Sequence, residues 1–266
     1  MTLTSSSQPA RKRVATPEPP ASREGIYSQA AAYLRWQPVV DRLLAAILLV
    51  PAIPVIALLL ALVKLSSRGP ALFRQVRVGR HGRTFLMYKI RTMRQDAEAA
   101  TGPVWTAVND PRVTCVGRLL RALHLDELPQ LFNVLKGEMA LVGPRPERPE
   151  FTQMLAREIP GYLGRLAARP GITGLAQINL PPDTDLDSVR RKLVLDLQYV
   201  ERAGLLLDLR IMGCTLLRMF GIPGERAAPW CGVRRRVNLV HAPSHNGAKN
   251  GKPVVAAGAN GHARAG

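Results

Sequence analysis

The longest uninterrupted apolar run in the chain lies between Leu43 and Val63, 21 residues without a charged or polar side chain. Roughly 20 such residues suffice to cross a bilayer, so the run predicts a membrane helix rather than a helix buried in a protein core. Pro51 and Pro54 fall in its middle, where each removes a backbone donor and crowds the preceding turn. Basic residues stand on both flanks: Arg35 and Arg42 before it, Lys64, Arg68, Arg74 and Arg77 after it. Lys and Arg favour the cytoplasmic side. A re-entrant hairpin that breaks at the prolines and returns to the same face therefore accounts for both features better than a straight span.

The pattern changes after the run. Ala71–Val78 and Phe85–Ile90 read as strands joined by a turn at Arg80-His81-Gly82. Val116–Leu123 reads as a short basic helix. Thr101–Pro111, with Trp105, Asn109 and Asp110, reads as a loop. Asp126 and Glu127 then stand at a helix start, with Pro129 in the first turn. Leu128, Leu131, Phe132 and Leu135 repeat at helical spacing, and Lys136 and Gly137 end the segment. Gly143-Pro144-Arg145-Pro146 is too stiff for a helix or central strand and holds one guanidinium on a rigid loop. Phe151–Arg165 is expected to be helical. Arg169–Gln177 is a Gly/Pro-punctuated loop with another fixed arginine. Asp187–Ala203 is an amphipathic helix, and Leu205–Phe220 is a second one, lying in the membrane interface or buried against the core.

Composition narrows the partners. A formal net charge of +18 and a pI near 11.0 favour an anionic partner: nucleic acid, anionic lipid or a phosphorylated substrate. With 5% aromatic residues, a base-stacking nucleic-acid platform is disfavoured. Between residues 65 and 95 stand Arg68, Arg74, Arg77, Arg80, Arg83, Lys89, Arg91 and Arg94, with no Asp or Glu. The arginines nearest the membrane are expected on lipid headgroups, and Lys89 and Arg91 in a phosphate site. Cys115, Cys214 and Cys231 have neither metal-ligand nor disulfide spacing, which suits a reduced, cytoplasmic body.

The chemistry left is a carboxylate pair, fixed arginines and a membrane segment. Adjacent acids at a helix start have a plain structural explanation, since they complement the macrodipole. They are also hard oxygen ligands suited to Mg²⁺ shared with substrate phosphates, and a carboxylate can attack phosphorus. Arginines suit a diphosphate. Arg121, five residues before Asp126, can reach the same pocket. Together these favour phosphoryl-type transfer at a membrane surface.

Five segments in this order resemble the bacterial sugar transferase family, the monotopic polyprenyl-phosphate phosphoglycosyltransferases. They are Phe73–Gly79 (FRQVRVG), Tyr88–Met93 (YKIRTM), Leu125–Gln130 (LDELPQ), Leu141–Glu147 (LVGPRPE) and Arg169–Gly174 (RPGITG). The resemblance covers about residues 38 to 220. It implies transfer of a sugar 1-phosphate from a UDP-sugar to undecaprenyl phosphate, with UMP released and polysaccharide or glycan assembly begun. It implies Asp126 as nucleophile and, with Glu127, as Mg²⁺ ligand. It implies substrate contacts from Arg121 and from the Pro144-Arg145-Pro146 turn, to which charge and loop position add Lys89, Arg91 and Arg169 as expected substrate-binding residues. The implied partners are the UDP-sugar donor, the undecaprenyl phosphate acceptor and anionic membrane lipids, not nucleic acid, with a homodimer among the assemblies it admits. The implied location is the bacterial inner membrane, with the catalytic domain on the cytoplasmic face.

The expected architecture is α+β. A disordered N-terminal tail covers 1–34 and a re-entrant membrane helix covers 35–65. A compact, mostly helical cytoplasmic catalytic domain with a small β-hairpin and amphipathic interfacial helices covers 66–222, and a disordered basic tail covers 223–266. Three departures from the family pattern stand out. Ala176 replaces a common Trp, Pro51 and Pro54 lack a preceding Ser, and the multispan N-terminal domain of larger members is missing. Two rival readings are a glycosyltransferase that releases UDP, and a non-enzymatic membrane scaffold; neither uses the Asp126-Glu127 pair.

Overall fold

A computed structural model describes residues 24–97 and 110–237, with side chains from residue 29 onward. The expected loop is outside the described residues as far as Asn109, as are most of both expected tails. Helix α1 runs over Glu24–Ser66, 43 residues, continuous through Pro38, Pro51 and Pro54. The anticipated break therefore does not divide it into two helices. Pro51 and Pro54 both lie on its exposed side, so their missing donors leave the inward face intact. The helix also begins well before residue 35, because Ala30 and Leu34 already pack into the core.

The inward face of α1 is one stripe at intervals of three or four residues: Ala30, Leu34, Gln37, Asp41, Ala45, Leu49, Ala52, Ile56, Leu59 and Val63 are all buried. The outward face carries Trp36, Leu43, Ile47, Val50, Leu58, Leu62 and Leu65, all exposed. Both ends of the stripe dock on the same body. At the N-terminal end Gln37 Nε2 donates to the carbonyl of Val142 at 3.0 Å, and Asp41 Oδ2 accepts the amide of Leu141 at 3.2 Å. At the C-terminal end Leu59 and Val63 pack with Ile90 and Leu120.

The body begins with an antiparallel hairpin, β1 (Leu72–Val78) and β2 (Thr84–Ile90), in which Gln75 faces Met87. Its connection turns through His81 and Gly82, both at positive φ. Helix α2 (Cys115–Ala122) starts on Thr114, whose hydroxyl accepts the amide of Gly117 at 2.9 Å. A 3₁₀ turn over Leu125–Glu127 leads into α3 (Gln130–Leu135). The buried side of α3 is Gln130, Leu131, Asn133 and Val134. Phe132 and Leu135, expected on the inner face, are partly exposed, because the 3₁₀ turn shifts the helical phase. Helix α4 (Pro149–Glu158) stops at Ile159, before Pro160 and Gly161, so the expected single helix to Arg165 becomes α4 and a separate 3₁₀ stretch over Tyr162–Ala167.

Two three-residue strands, β3 (Ala140–Val142) and β4 (Gly171–Thr173), pair in parallel, and β4 falls inside the segment Arg169–Gln177 that was expected as a loop. Helix α5 (Leu175–Asn179) follows. Helix α6 (Leu186–Arg202) is capped by a reciprocal Asp185–Ser188 box. Helix α7 (Leu205–Met219) buries Asp208, Ile211 and Cys214 and exposes Leu205, Leu206, Leu209 and Leu216, so it both lines the core and presents an apolar outer side. The body continues past residue 222 into α8 (Gly224–Trp230), where Ala227 and Ala228 are buried. Small residues of that kind leave no apolar periodicity to read.

The strand pair β3–β4 is closed by backbone meeting backbone. A Cβ on Gly143 would lie 2.2 Å from the carbonyl oxygen of Arg169, one on Gly171 would lie 2.1 Å from the amide of Gly143, and one on Gly174 would lie 2.2 Å from the carbonyl oxygen of Gly143. Only glycine permits this approach. Gly171→Ala is expected to destabilise the fold by about 1–3 kcal/mol, the usual range for overpacking, and to displace the Pro144-Arg145-Pro146 loop. Thermal unfolding of the variant in nanodiscs measures the first effect. An unchanged melting temperature would contradict the crossing.

Candidate active site

The carboxylate pair sits in the 3₁₀ turn, which the chain enters through His124 at φ 56°. That left-handed conformation is uncommon for a non-glycine residue. It reverses the chain immediately after α2 and points both acids toward β2. Asp126 is buried at 8% exposure, and among the described residues its carboxylate accepts no hydrogen bond. Glu127 differs. Its Oε1 accepts both Lys89 Nζ and Arg145 Nη2, each at 2.8 Å.

Each partner is positioned by its own element. Lys89 stands on β2, and β2 is clamped to α3 by the fully buried Asn133. Its Oδ1 accepts the amide of Tyr88 at 3.1 Å, and its Nδ2 donates to the carbonyl of Leu86 at 2.7 Å. Arg145 is held by its backbone. The carbonyls of Pro144, Arg145 and Pro146 accept, in turn, the amide of Gly171 at 2.9 Å, Arg165 Nη2 at 2.8 Å and Arg77 Nη1 at 3.0 Å. Arg121, on α2, donates from Nε to Thr92 Oγ1 at 2.8 Å, and its charge reaches Asp126.

These surroundings move the two carboxyls in opposite directions. Burial raises the Asp126 carboxyl above the ordinary carboxylate range and the neighbouring Glu127 charge adds to this, while Lys89, Arg121 and Arg145 offset part of it. Burial also works to raise Glu127, but Arg145 and Lys89 outweigh it and hold that carboxyl well below its usual range. Burial lowers the Lys89 ammonium, against the pull of Glu127. The pair thus contains one committed carboxylate and one that is more basic and takes no hydrogen bond among the described residues, an arrangement suited to a nucleophile beside a fixed, ion-paired neighbour.

A model of the bacterial sugar transferase family matches residues 32–221. The chain belongs to the bacterial sugar transferase family. It is similar to an Aeromonas hydrophila UDP-N-acetylgalactosamine-undecaprenyl-phosphate N-acetylgalactosaminephosphotransferase, 43% identical over 175 residues, covering 65% of this chain and 41% of the relative. It is similar to a Komagataeibacter xylinus undecaprenyl-phosphate glucose phosphotransferase, 42% identical over 183 residues, 67% of this chain and 34% of the relative. A Rhizobium leguminosarum bv. phaseoli exopolysaccharide production protein is 42% identical over 178 residues, 65% of this chain and 88% of the relative. The chain thus spans less than half the length of the first two.

Within this sugar transferase fold, five of the expected site residues come together: Asp126, Glu127, Lys89, Arg121 and Arg145. Pro144 and Pro146 flank Arg145 and are buried, where they stiffen the loop. Two arginines lie elsewhere. Arg91 turns its Nη2 to the carbonyl and hydroxyl of Ser67, at 2.9 and 2.8 Å, and fastens the end of α1. Arg169 donates from Nε to the carbonyl of Gly137 at 3.2 Å, beside Arg80 and Arg42. Its backbone, not its guanidinium, supports the Arg145 loop. Arg77, expected on lipid, is instead a prop of that loop, and burial lowers it to about 10. Arg80 likewise turns inward, donating from Nε to the carbonyl of Ala167 at 2.8 Å.

Sequence reasoning missed Asn133 and Arg218. Arg218, on α7, donates from Nη1 to the carbonyl of Gln177 at 2.9 Å, and its charge is felt by His124, Glu127 and Arg145. An asparagine inside a six-residue helix was the available signal for the first; nothing local marks the second. Arg145 also lines a small cleft together with Glu147, Gln177, Asp183 and Lys192.

The opposed carboxyls have a stability signature. Asp126, raised in the folded state, opposes stability when ionised. Glu127, lowered, stabilises above the ordinary carboxylate range, and that contribution is lost as pH falls through its lower value. Asp126→Asn is therefore expected to raise the melting temperature at neutral pH and to lose that advantage in acid. Glu127→Gln is expected to lower stability by roughly 3 kcal/mol or less. That is the low end for a broken buried pair, because the Arg145 side chain is 44% exposed and partly screened. Thermal unfolding at pH 7.5 and pH 4 tests both signs, and shifts in the same direction at pH 7.5 would refute the assignment.

Proposed function

We propose that this protein transfers a sugar 1-phosphate from a UDP-sugar to undecaprenyl phosphate, releasing UMP, through a covalent intermediate on Asp126. The observation that carries this is the contrast within the acid pair. Asp126 is buried and takes no hydrogen bond among the described residues, while Glu127, next to it, is fixed by Lys89 and Arg145. In the first step an Asp126 oxygen attacks the sugar-bearing phosphorus of the donor. The bond from that phosphorus to the bridging oxygen breaks, and UMP leaves with the electron pair. In the second step a phosphate oxygen of undecaprenyl phosphate attacks the same phosphorus. The bond to Asp126 breaks, the carboxylate is restored and the product is an undecaprenyl diphosphate sugar. Lys89, Arg121 and Arg145 stabilise the negative charge that two anionic substrates and a carboxylate bring together. The sugar is left open, since the names of similar proteins specify N-acetylgalactosamine in one and glucose in another.

The donor set suits Mg²⁺. Besides both Asp126 oxygens, Glu127 Oε2 accepts no hydrogen bond among the described residues, so hard oxygens stand beside the place for a diphosphate. No group of three His, Cys, Asp or Glu that could hold a metal forms among the described residues, which fits an ion shared with substrate phosphates rather than caged by protein. Asp126 and Glu127 would hold it, and it would supply charge neutralisation at the diphosphate.

The membrane arrangement follows from α1. Its inward stripe packs on one body along its length, and a simple span would carry that body into the hydrocarbon layer, about 30 Å thick. We read α1 as entering and leaving by the same, cytoplasmic face of the inner membrane, its outward apolar side and that of α7 in lipid. Anionic headgroups would meet the surrounding basic residues.

Purified protein in nanodiscs, with Mg²⁺, undecaprenyl phosphate and a panel of UDP-sugars, is expected to release UMP only when the lipid is present. Release of UDP would overturn the reading. Asp126→Asn is expected to lower turnover about 10³-fold or more while the protein still inserts, and near-normal turnover would refute the covalent role. With the native cysteines replaced by serine, Arg35→Cys and Arg68→Cys are both expected to react with an impermeant maleimide from the cytoplasmic side. Labelling from opposite sides would establish a span.

A further inference from the structure

A second group of cations lies away from the carboxylate pair, where the N-terminal third of α1 meets the body. Arg42 of α1 and Arg169, just before β4, meet at Gly137. A Cβ there would lie 2.2 Å from Arg42 Nη2, and the carbonyl of Gly137 accepts Arg169 Nε at 3.2 Å. The charges of Arg80 and Arg42 both bear on Arg169, and that of Arg35 bears on Arg80. Arg83, in the hairpin connection with Arg80, acts together with Arg80 and Arg169 on His81. Five arginines from α1, the β1–β2 connection and the approach to β4 thus share one surface. Asp126, Glu127, Lys89 and Arg145 are not among the charges felt there.

The protein does not neutralise this group. Among the described residues none of the five arginines pairs with a carboxylate. The acid whose charge reaches Arg169 is Asp41, which is buried and whose Oδ2 accepts the amide of Leu141 at 3.2 Å. Donors are left over as well. Arg169 Nη1 is buried without a partner. Arg80 commits only its Nε, to the carbonyl of Ala167 at 2.8 Å. Arg42 makes no hydrogen bond among the described residues. Like charges held together repel, and a buried donor left unmet is unfavourable. An oxyanion answers both, because guanidinium forks match its oxygens.

The place suits an amphiphile better than a soluble anion. On the outward side of α1, Trp36, Val39, Leu43, Ile47 and Val50 follow one another at intervals of three or four, and all are exposed. Arg35 and Arg42, seven residues apart, run beside this stripe on the neighbouring helical row. Trp favours the boundary between membrane and water, so Trp36 sets the headgroup level at the arginines, and the apolar stripe after it offers a path for acyl chains. We propose that Arg42, Arg80 and Arg169 form a headgroup site for one anionic phospholipid, with its phosphodiester on the guanidiniums and its chains along Leu43, Ile47 and Val50. This rests on the placement of α1 in lipid and is independent of the transfer chemistry. It differs from a general attraction of basic residues to headgroups, because three named side chains hold one molecule. A lipid bound there ties α1 to the approach to β4.

The test uses the full chain purified in a neutral detergent, with phosphatidylglycerol or phosphatidylcholine titrated in and bound lipid counted by native mass spectrometry. The wild type is expected to retain one phosphatidylglycerol at least about tenfold more tightly than phosphatidylcholine. Arg42→Gln and Arg80→Gln are each expected to weaken that lipid about tenfold. Arg157→Gln removes an exposed cation on α4 and is expected to leave the binding unchanged. Equal retention of the two lipids would overturn the proposal. So would an equal loss from Arg157→Gln, which would make the attraction diffuse. Displacement of the lipid by UMP would assign the cluster to the donor and overturn it too. Failure of the wild type to enter phosphatidylcholine nanodiscs would remove the membrane placement of α1, whereas insertion without a phosphatidylglycerol preference would remove only this proposal.

Discussion

A single carboxylate oxygen ties the site together. Glu127 Oε1 accepts Lys89 from the hairpin and Arg145 from the Pro-Arg-Pro loop, both at 2.8 Å, so three segments distant in the chain share one acceptor. In a mostly buried setting such a charge is tolerable only because it is paired twice. The arrangement has a second effect. Both cations are drawn to Glu127, which leaves Asp126 in a field of positive charge without a bond to any of its sources.

Helix α1 serves two environments, a buried inward stripe and an exposed apolar outward face. Its inward stripe is part of the main core, packing Ala45, Leu49, Ala52 and Ile56 with Phe85, Met87, Leu131 and Val134. Its N-terminal half also enters a buried polar network in which Gln37, Tyr33 and Tyr199 converge on Asp208. Gln37 and Tyr199 both donate to the carbonyl of Val142, three residues before Arg145. Helix α1 is thus hydrogen-bonded to the strand that delivers the arginine.

Much of this was legible in the sequence, and the misses have identifiable physical causes. The apolar run, the hairpin and the helices α6 and α7 announce themselves by periodicity. The acid pair and Arg145 stand out because their neighbours, a turn and two prolines, restrict them. The parallel pair β3–β4 was invisible, because three-residue strands carry no period and their partners are some 30 positions apart. The roles of Arg91, Arg169 and Arg77 were equally hidden. A basic side chain reads the same in a sequence whether it meets phosphate, lipid or a backbone carbonyl, and all three end on carbonyls. Arg218 enters the site only because α7 folds back across α5.

The crossing of Gly143 with Gly171 and Gly174 bears on how such a site can change. There the strand pair behind the loop is set by main-chain atoms, which are common to every sequence that keeps the glycines, while Arg77 and Arg165 hold the loop itself. The position of Arg145 thus rests on the glycine crossing and on a few side chains, Glu127, Arg77 and Arg165. Side chains outside that set can vary without moving the guanidinium, so the surroundings of the site can drift while the reacting geometry stays where it is.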